Sequence, residues 1–330
     1  MRSFASITAT SWDTLIIVIL VLILVHPAAP FYAPLCPHRL STRSRTHAST
    51  RTSVSLSSST SVSASSKPIP RDVVIIGGGL AGLSTAYELS IRSTRTITVL
   101  TRPAAHEQEK TIASRAAAGM LAPQSERLPK GPLLDLCLQS RGLYSSYVTS
   151  LESLTGLSCG YRANGGFVAP AFRGDTVSTH APPEGAGEAR WLDEVQVKEL
   201  EPRLSKDVIG GWWFAEDASV DSRLVHDALK AACAASGVEV IEGDVTAVEG
   251  STCGVSLSDG RCYKGRDVVI ANGSWMRELL PVPVQPHKGQ SFSVRAPEKF
   301  LERVLFASDT YVVPKSDGRI VIGATVEPGR

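Results

Sequence analysis

Apolar positions recur along this chain with different periods, and each change of period marks an element. Residues 73–76 are apolar and β-branched without interruption, the pattern of a strand buried on both faces of a parallel sheet. Beyond a glycine-rich turn, Leu83, Ala86, Tyr87 and Leu89 fall at helical spacing, and residues 96–100 supply a second buried strand. Residues 133–154 predict a long amphipathic helix with Leu134, Cys137, Leu143, Tyr147 and Leu151 inward. Gly156, Tyr161, Gly165 and Phe167 lie in strands and turns, and Asp193 is the expected N-cap of a helix over 195–200. Residues 210–217 read as an aromatic strand and turn in which Trp212 and Trp213 are sheet residues.

Helical periodicity returns over 223–236. Residues 238–242, 245–248, 255–257 and 261–263 predict short strands in hairpin-like succession, and 267–271 a second parallel strand leading to a helix start at Gly273. Residues 289–294, 311–314 and 319–325 alternate as antiparallel strands facing a pocket, with Asp317-Gly318 as a hairpin turn.

The amino end follows none of these periods. An apolar run over 15–25 is shorter than the roughly 20 residues that span a bilayer, but suits a signal-peptide core. From 41 to 66, 17 of 26 residues are Ser or Thr, and no acid occurs between Asp13 and Asp72. Such a segment buries too little apolar surface to offset its ordering entropy and reads as a transit peptide. The expected order is a signal peptide over 1–30, a disordered transit peptide over 31–70 and one catalytic body over 71–330. This looks like the two-part presequence of algal plastids, headed by Phe31, with the plastid stroma as destination and secretion as the alternative.

Charge changes the picture only when that address is set aside. The first 70 residues hold six Lys/Arg and one acid, leaving 28 against 31, or −3, for the body. Nothing in that balance calls for nucleic acid or an anionic membrane. Cys137, Cys159, Cys233, Cys253 and Cys262 include no C-x-x-C pair, which suggests neither a disulfide framework nor zinc. His106, His180, His226 and His287 are scattered, with His180 expected in an exposed loop, and no nucleophile turn occurs. No metal site is expected.

The chemistry is concentrated in the glycine turn. Gly77, Gly79 and Gly82 form G-x-G-x-x-G between strand and helix, where glycines permit a tight turn, close approach to a diphosphate and close helix–strand packing. Leu80 and Ala81 open the helix whose amides and dipole favour phosphate. The acid expected about 20 residues later for the ribose is missing; Thr101 and Arg102 stand there instead. Arg102 keeps a 2'-phosphate, hence NADP, open at this point. Farther on, the small residues of Ala113-Ser-Arg-Ala-Ala-Ala-Gly-Met120 suit backbone contact with a flat ligand, and Ser114 offers a hydroxyl to phosphate. A plain helix start is the simpler reading of the same string.

The strings VVIIGGGLAGLSTAYEL, TITVLTR, ASRAAAGMLAPQSE, LLDLCLQSRGLY, GGWWFAEDASVDSR, DVVIANGSW, PVQPHKGQ and YVVPKSDGRIVIGAT run in order from Arg71 to Thr325. Together they resemble the family of FAD-dependent amine and D-amino-acid oxidases, in particular the glycine oxidases of thiamine biosynthesis, whose second strand also ends Thr-Arg. The resemblance implies an α/β fold: a Rossmann-like FAD-binding domain, mainly 71–125 and 220–280, interleaved with an antiparallel-sheet substrate domain, mainly 150–215 and 284–330. It implies FAD contacts at Leu80 and Ala81, at Thr101 and Arg102 by the ribose, and at Ala113 and Ser114 by the diphosphate. Ala118, Gly119 and Met120 are implied beside the isoalloxazine, and Val245 at the adenine through its backbone. Tyr311 matches the tyrosine that binds the substrate carboxylate, and Val326 the position whose main-chain carbonyl faces the amine.

The implied activity is oxidation of glycine, or another small amine or amino acid, to its imine by hydride transfer to flavin N5, with O2 reduced to hydrogen peroxide. A sarcosine or D-amino-acid oxidase or dehydrogenase of the same family is the near alternative, and self-association into a homo-oligomer stays open. Family members continue beyond the point matching Arg330 with a G-x-R-P arginine for the carboxylate and a further glycine-rich flavin segment. The sequence is therefore expected to be incomplete at its carboxyl end, and a non-catalytic flavoprotein fragment is the contrasting reading.

Overall fold

The computed structural model describes residues 67–103, 112–163, 165–182, 188–250, 254–296, 300–307 and 310–328. The expectations for residues 1–66, His106, Cys253 and Gly329-Arg330 lie outside them.

β1 (Ile69–Ile76) runs through the glycine turn into α1 (Leu80–Arg92), and β2 (Ile97–Thr101) follows. A single turn, α2 (Ala113–Ala116), leads to β3 (Met120–Leu121) and the long α3 (Pro132–Thr155). Gly156 ends α3 in the left-handed region, φ 69°, with its N–H bonded to Glu152 O. Then come β4 (Phe167–Phe172), β5 (Arg190–Asp193), α4 (Glu194–Leu200), β6 (Val208–Phe214), β7 (Ala218–Ser219) and α5 (Ser222–Ala235). Asp193 caps α4 in a full capping box with Gln196, as its position predicts. β8 (Glu239–Glu242), β9 (Val245–Glu249), β10 (Gly254–Leu257) and β11 (Cys262–Ile270) precede a 3-10 helix, Gly273–Glu278. The remainder is β12 (His287–Lys288), β13 (Ser291–Arg295), β14 (Val304–Phe306), β15 (Tyr311–Pro314), β16 (Arg319–Gly323) and β17 (Glu327–Pro328).

These strands make a six-stranded sheet, β8-β2-β1-β11-β10-β9, and a seven-stranded sheet, β13-β16-β15-β14-β4-β6-β5. In the first, β8, β2, β1 and β11 are parallel and β10 and β9 antiparallel. The unbroken apolar run of β1 is explained by its two covered faces. Val73 and Ile75 pack with Leu83, Tyr87, Leu151 and Leu229 of α1, α3 and α5, while Val74 and Ile76 pack with Val255, Leu257 and Tyr263. The second sheet is antiparallel except where β14 meets β4. Its inner face, from Phe167, Phe214, Val304, Val313 and Val321, covers Ala118, Met120 and Ala122.

Four expectations need correction. Residues 238–242 do not form a hairpin with 245–248: β8 lies parallel to β2, because Gly243 N donates to Thr101 O at 2.8 Å and carries the chain across. Residues 261–263 are not a separate strand but the start of the nine-residue β11. β13 is exposed along its length, Phe292 at 61%, so it forms an outer edge rather than a pocket wall throughout. His180 is half-buried, not exposed, and burial pushes its pKa down.

Candidate active site

β1 ends where Gly77 N donates to Leu100 O at 2.8 Å, and the chain reverses into α1. Gly82 lies directly against Gly77, so that a Cβ on it would collide with the Gly77 carbonyl. Gly79 is the N-cap of α1; it brings no capping side chain, and the first turn holds no acid. The first amides and positive dipole end of this helix are therefore turned toward an anion. Ser114 Oγ accepts from Leu80 N at 3.0 Å, which sets Ala113 and Ser114 beside the turn and leaves the serine hydrogen available to a phosphate oxygen. Asn272, next to Gly77, has a buried Oδ1 without a donor among the described residues, an acceptor suited to a ligand hydroxyl.

Thr101 packs against Gly78, where a Cβ would approach its Oγ1 to 2.5 Å. Arg102 is held by Asp244 at 2.8 Å and Glu278 at 2.6 Å, with its guanidinium 5.4 Å from the Trp275 ring centre. The Asp244 hydrogen bond, ahead of Glu278, holds its pKa above the usual value. Two carboxylates already neutralise this guanidinium, which argues against the 2'-phosphate left open by the sequence. Val245 follows Asp244, so Thr101, Arg102 and Val245 come together beyond the carboxyl ends of the parallel strands β2 and β8.

The string after Ser114 is fixed by its carbonyls. Arg115 O accepts from Arg223 Nε at 3.1 Å, Ala117 O from Ser222 Oγ at 2.6 Å, Gly119 O from Val220 N at 2.8 Å, and Ala118 O from Lys315 Nζ. Gly119 has φ 73° and presses on Val220 O, a place no side chain fits. With these carbonyls occupied, and the Arg115, Ala116 and Ala117 amides bonded to Ile112 O and Ala113 O, the small side chains are what remain for a flat ligand. Ala118 and Met120 share their apolar cluster with Tyr311. The Tyr311 hydroxyl stands over Gly323 and Ser291, and burial, then the charge of Glu126, pushes its pKa up, so it stays a donor at neutral pH. Val326 lies three residues beyond Gly323, the ladder partner of Tyr311, and is 41% exposed outside that cluster. Its neighbourhood is held by Thr325 N to Gln290 O at 3.1 Å and by the β12–β17 ladder.

The sequence pattern missed several ionisable groups gathered here. Lys315, 8% exposed, donates to Ala118 O and to Val220 O at 2.7 Å, and burial pushes its pKa down to about 8. Asp221 pairs with Arg319 and caps α5 through Arg223 N at 3.0 Å. Asp217 is fully buried and accepts from Ser125 N and Oγ at 2.8 Å and from Arg141 at 2.7 Å. Burial, with the Asp217 charge second, raises Glu126 to about 7. The available signals were an acid at the end of ASRAAAGMLAPQSE and the ionic content of VDSR and PKSDGR. An open cavity of about 100 Å³ reaches Ala116 and Ala117 from the side of Ser291, Ser293, Lys315 and Arg319. Among the described residues no metal-ligand cluster occurs, and no helix is long and apolar enough to cross a membrane.

A family model described as FAD dependent oxidoreductase matches residues 72–330. The chain is 43% identical over 266 residues to the bifunctional protein ThiO/ThiG of Synechocystis sp., covering 78% of this chain and 39% of that protein. It thus spans about two fifths of the length of such bifunctional relatives. To the glycine oxidase of Geobacillus kaustophilus it is 34% identical over 274 residues, covering 78% of this chain and 71% of the relative. The crystal structure of glycine oxidase from Geobacillus kaustophilus superposes with a TM-score of 0.68 at 30% identity, over 79% of this chain and 73% of that one.

Proposed function

The chain belongs to the FAD-dependent oxidoreductase family, and from that membership we propose that the protein is an FAD-dependent oxidase of glycine or a comparably small amino acid or amine. The observation that carries the reading is the meeting of Tyr311 with the string Ala118–Met120 in one apolar cluster, at the end of a path that begins at the glycine turn. When bound, FAD would supply the two-electron redox chemistry that takes an amine to its imine by loss of a hydride and a proton, with O2 as the final acceptor and hydrogen peroxide as its product.

The residues of the chain supply orientation. The turn Gly77–Gly82, Leu80, Ala81, Ala113 and Ser114 bind the diphosphate, and Thr101, Arg102 and Val245 bind the adenosine end. Ala118, Gly119 and Met120 support the ring system. The Tyr311 hydroxyl donates to the substrate carboxylate, and the Val326 main-chain carbonyl accepts from the amine. The covering sheet excludes water from this face. The likeness to ThiO/ThiG proteins supports extending the proposal to thiamine, with the imine consumed in thiazole formation. Residues 1–70 are proposed to deliver the enzyme to the plastid. Fused to a fluorescent protein, they are expected to direct it to plastids, and secretion of the fusion contradicts that part.

Purified protein supplied with FAD and glycine is expected to release peroxide and consume O2. Oxidation of sarcosine or D-alanine in preference to glycine moves the assignment to those substrates. Bound flavin with no reduction by any of the three contradicts the oxidase reading.

A further inference from the structure

His226 is a buried titratable group with no part in the reaction above. It lies on α5, 2% exposed, with Nε2 2.9 Å from the carbonyl oxygen of Gly78 in the glycine turn. A carbonyl can only accept, so Nε2 carries the hydrogen. Nδ1 faces Arg115 Nη1 at 3.4 Å and Asp227 Oδ1 at 3.8 Å. The guanidinium can only donate and the carboxylate is beyond hydrogen-bonding reach, so Nδ1 is the bare acceptor and the ring is neutral. Arg115 is held in place by Asp227 at 2.5 Å. Burial pushes the imidazole pKa below 6.5, and the charges of Lys230 and Arg115 act the same way, opposed by the Gly78 bond and Asp227.

The consequence lies in the geometry of one peptide unit. In a trans peptide the C=O and the following N–H point in opposite directions. Drawing the Gly78 carbonyl toward α5 therefore aims the Gly79 N–H the other way. Gly78 and Gly79 both lack a Cβ, so nothing local prevents this unit from flipping. A flipped unit presents a carbonyl oxygen, not an N–H, to an incoming anion. We propose that His226 is a positioning residue of the dinucleotide site: its Nε2–H tautomer, fixed by Arg115, fastens the Gly78 carbonyl and keeps the Gly79 N–H directed at the diphosphate. Ser114, next to Arg115, separately holds Leu80 N at 3.0 Å, so this short turn touches the glycine turn at two points, once directly and once through His226. This inference rests on the dinucleotide reading of the turn.

The test combines spectroscopy with cofactor titration. In protein carrying 15N-labelled histidine, the His226 resonances, identified by their loss in His226→Gln, should report the Nε2–H tautomer and a titration point lower than that of a free imidazole. Arg115→Met should raise the titration point back toward the ordinary value. His226→Leu, which leaves the Gly78 carbonyl without its donor, should weaken FAD binding by about tenfold or more. His226→Gln can still donate and should return affinity to within about threefold. A purely packing role predicts that leucine substitutes as well as glutamine. An imidazole that titrates as a free one, or a His226→Leu protein that binds FAD as tightly as wild type, overturns the inference. Failure of the wild-type protein itself to bind FAD sinks the dinucleotide reading and this inference together.

Discussion

At Gly82 the helix passes so close to the turn that an added methyl meets backbone, which cannot move aside. At Gly79 the same methyl meets only Ser114 Oγ, 2.9 Å away on a side chain that can rotate. Gly82→Ala should therefore cost about 3 kcal/mol of stability and abolish FAD uptake, whereas Gly79→Ala should fold and bind FAD more weakly. Chemical denaturation and flavin fluorescence titration distinguish them; equal behaviour contradicts the geometry. Lys315 makes a second residue-scale prediction. Its pKa in the folded protein, about 8, lies below the ordinary 10.5, so between these values the unfolded chain binds more protons. Stability relative to Lys315→Met should then rise with pH across that window, by on the order of 2–3 kcal/mol, and be lost as pH falls through about 8. Denaturation at pH 7.5 and 10.5 reads the difference, and a flat difference contradicts it. The glycines and Ser114 were legible in the sequence because their roles follow from local spacing. Lys315 and His226 were not, because their partners lie 197 and 148 positions away and nothing in local periodicity encodes a contact at that range.

Two capped helices show the same distinction between local and distant information. Asp193 does one job, capping α4, and Asp193→Ala should cost about 1 kcal/mol with FAD affinity unchanged. Asp221 caps α5 and also pairs with Arg319, whose side chain is mostly buried. Asp221→Ala should cost about 2 kcal/mol or more, since it removes both the cap and one of the two carboxylates on that guanidinium, Asp317 at 2.6 Å remaining, and should loosen FAD because α5 anchors the string Ala113–Met120. Thermal unfolding with and without FAD checks both, and equal costs contradict the assignment. The first cap could be read from the sequence; the second helix could be read, but not its tie to β16. Period also served well for β1, β2 and α3. It failed at β8, where Gly243-Asp244 has the look of a hairpin turn but a backbone bond to Thr101 sends the strand to β2. β5 and β14, of four and three residues, are too short to carry a period.

Across the whole molecule, the two sheets are built from segments that alternate along the chain, 69–101 and 239–270 for one, 167–214 and 291–323 for the other. That weaving places the string Ala113–Met120 between the helix that follows the turn and the sheet that carries Tyr311. The fold class was legible because two buried parallel strands and a glycine turn admit few arrangements. The glycine turn was legible for the same reason; apart from Ser114, the remaining candidate cofactor contacts and Tyr311 were read only through family resemblance, since a small-residue string or one tyrosine on a strand carries no local signal. In the proposed enzyme the glycine turn and the string ending at Met120 together hold one FAD. The most direct measurement is titration of FAD into the purified protein, followed by flavin absorbance and fluorescence. Saturable uptake of one FAD per chain, a yellow protein, and loss of uptake in Gly82→Ala are expected. A wild-type protein that stays colourless and takes up no added FAD contradicts that reading.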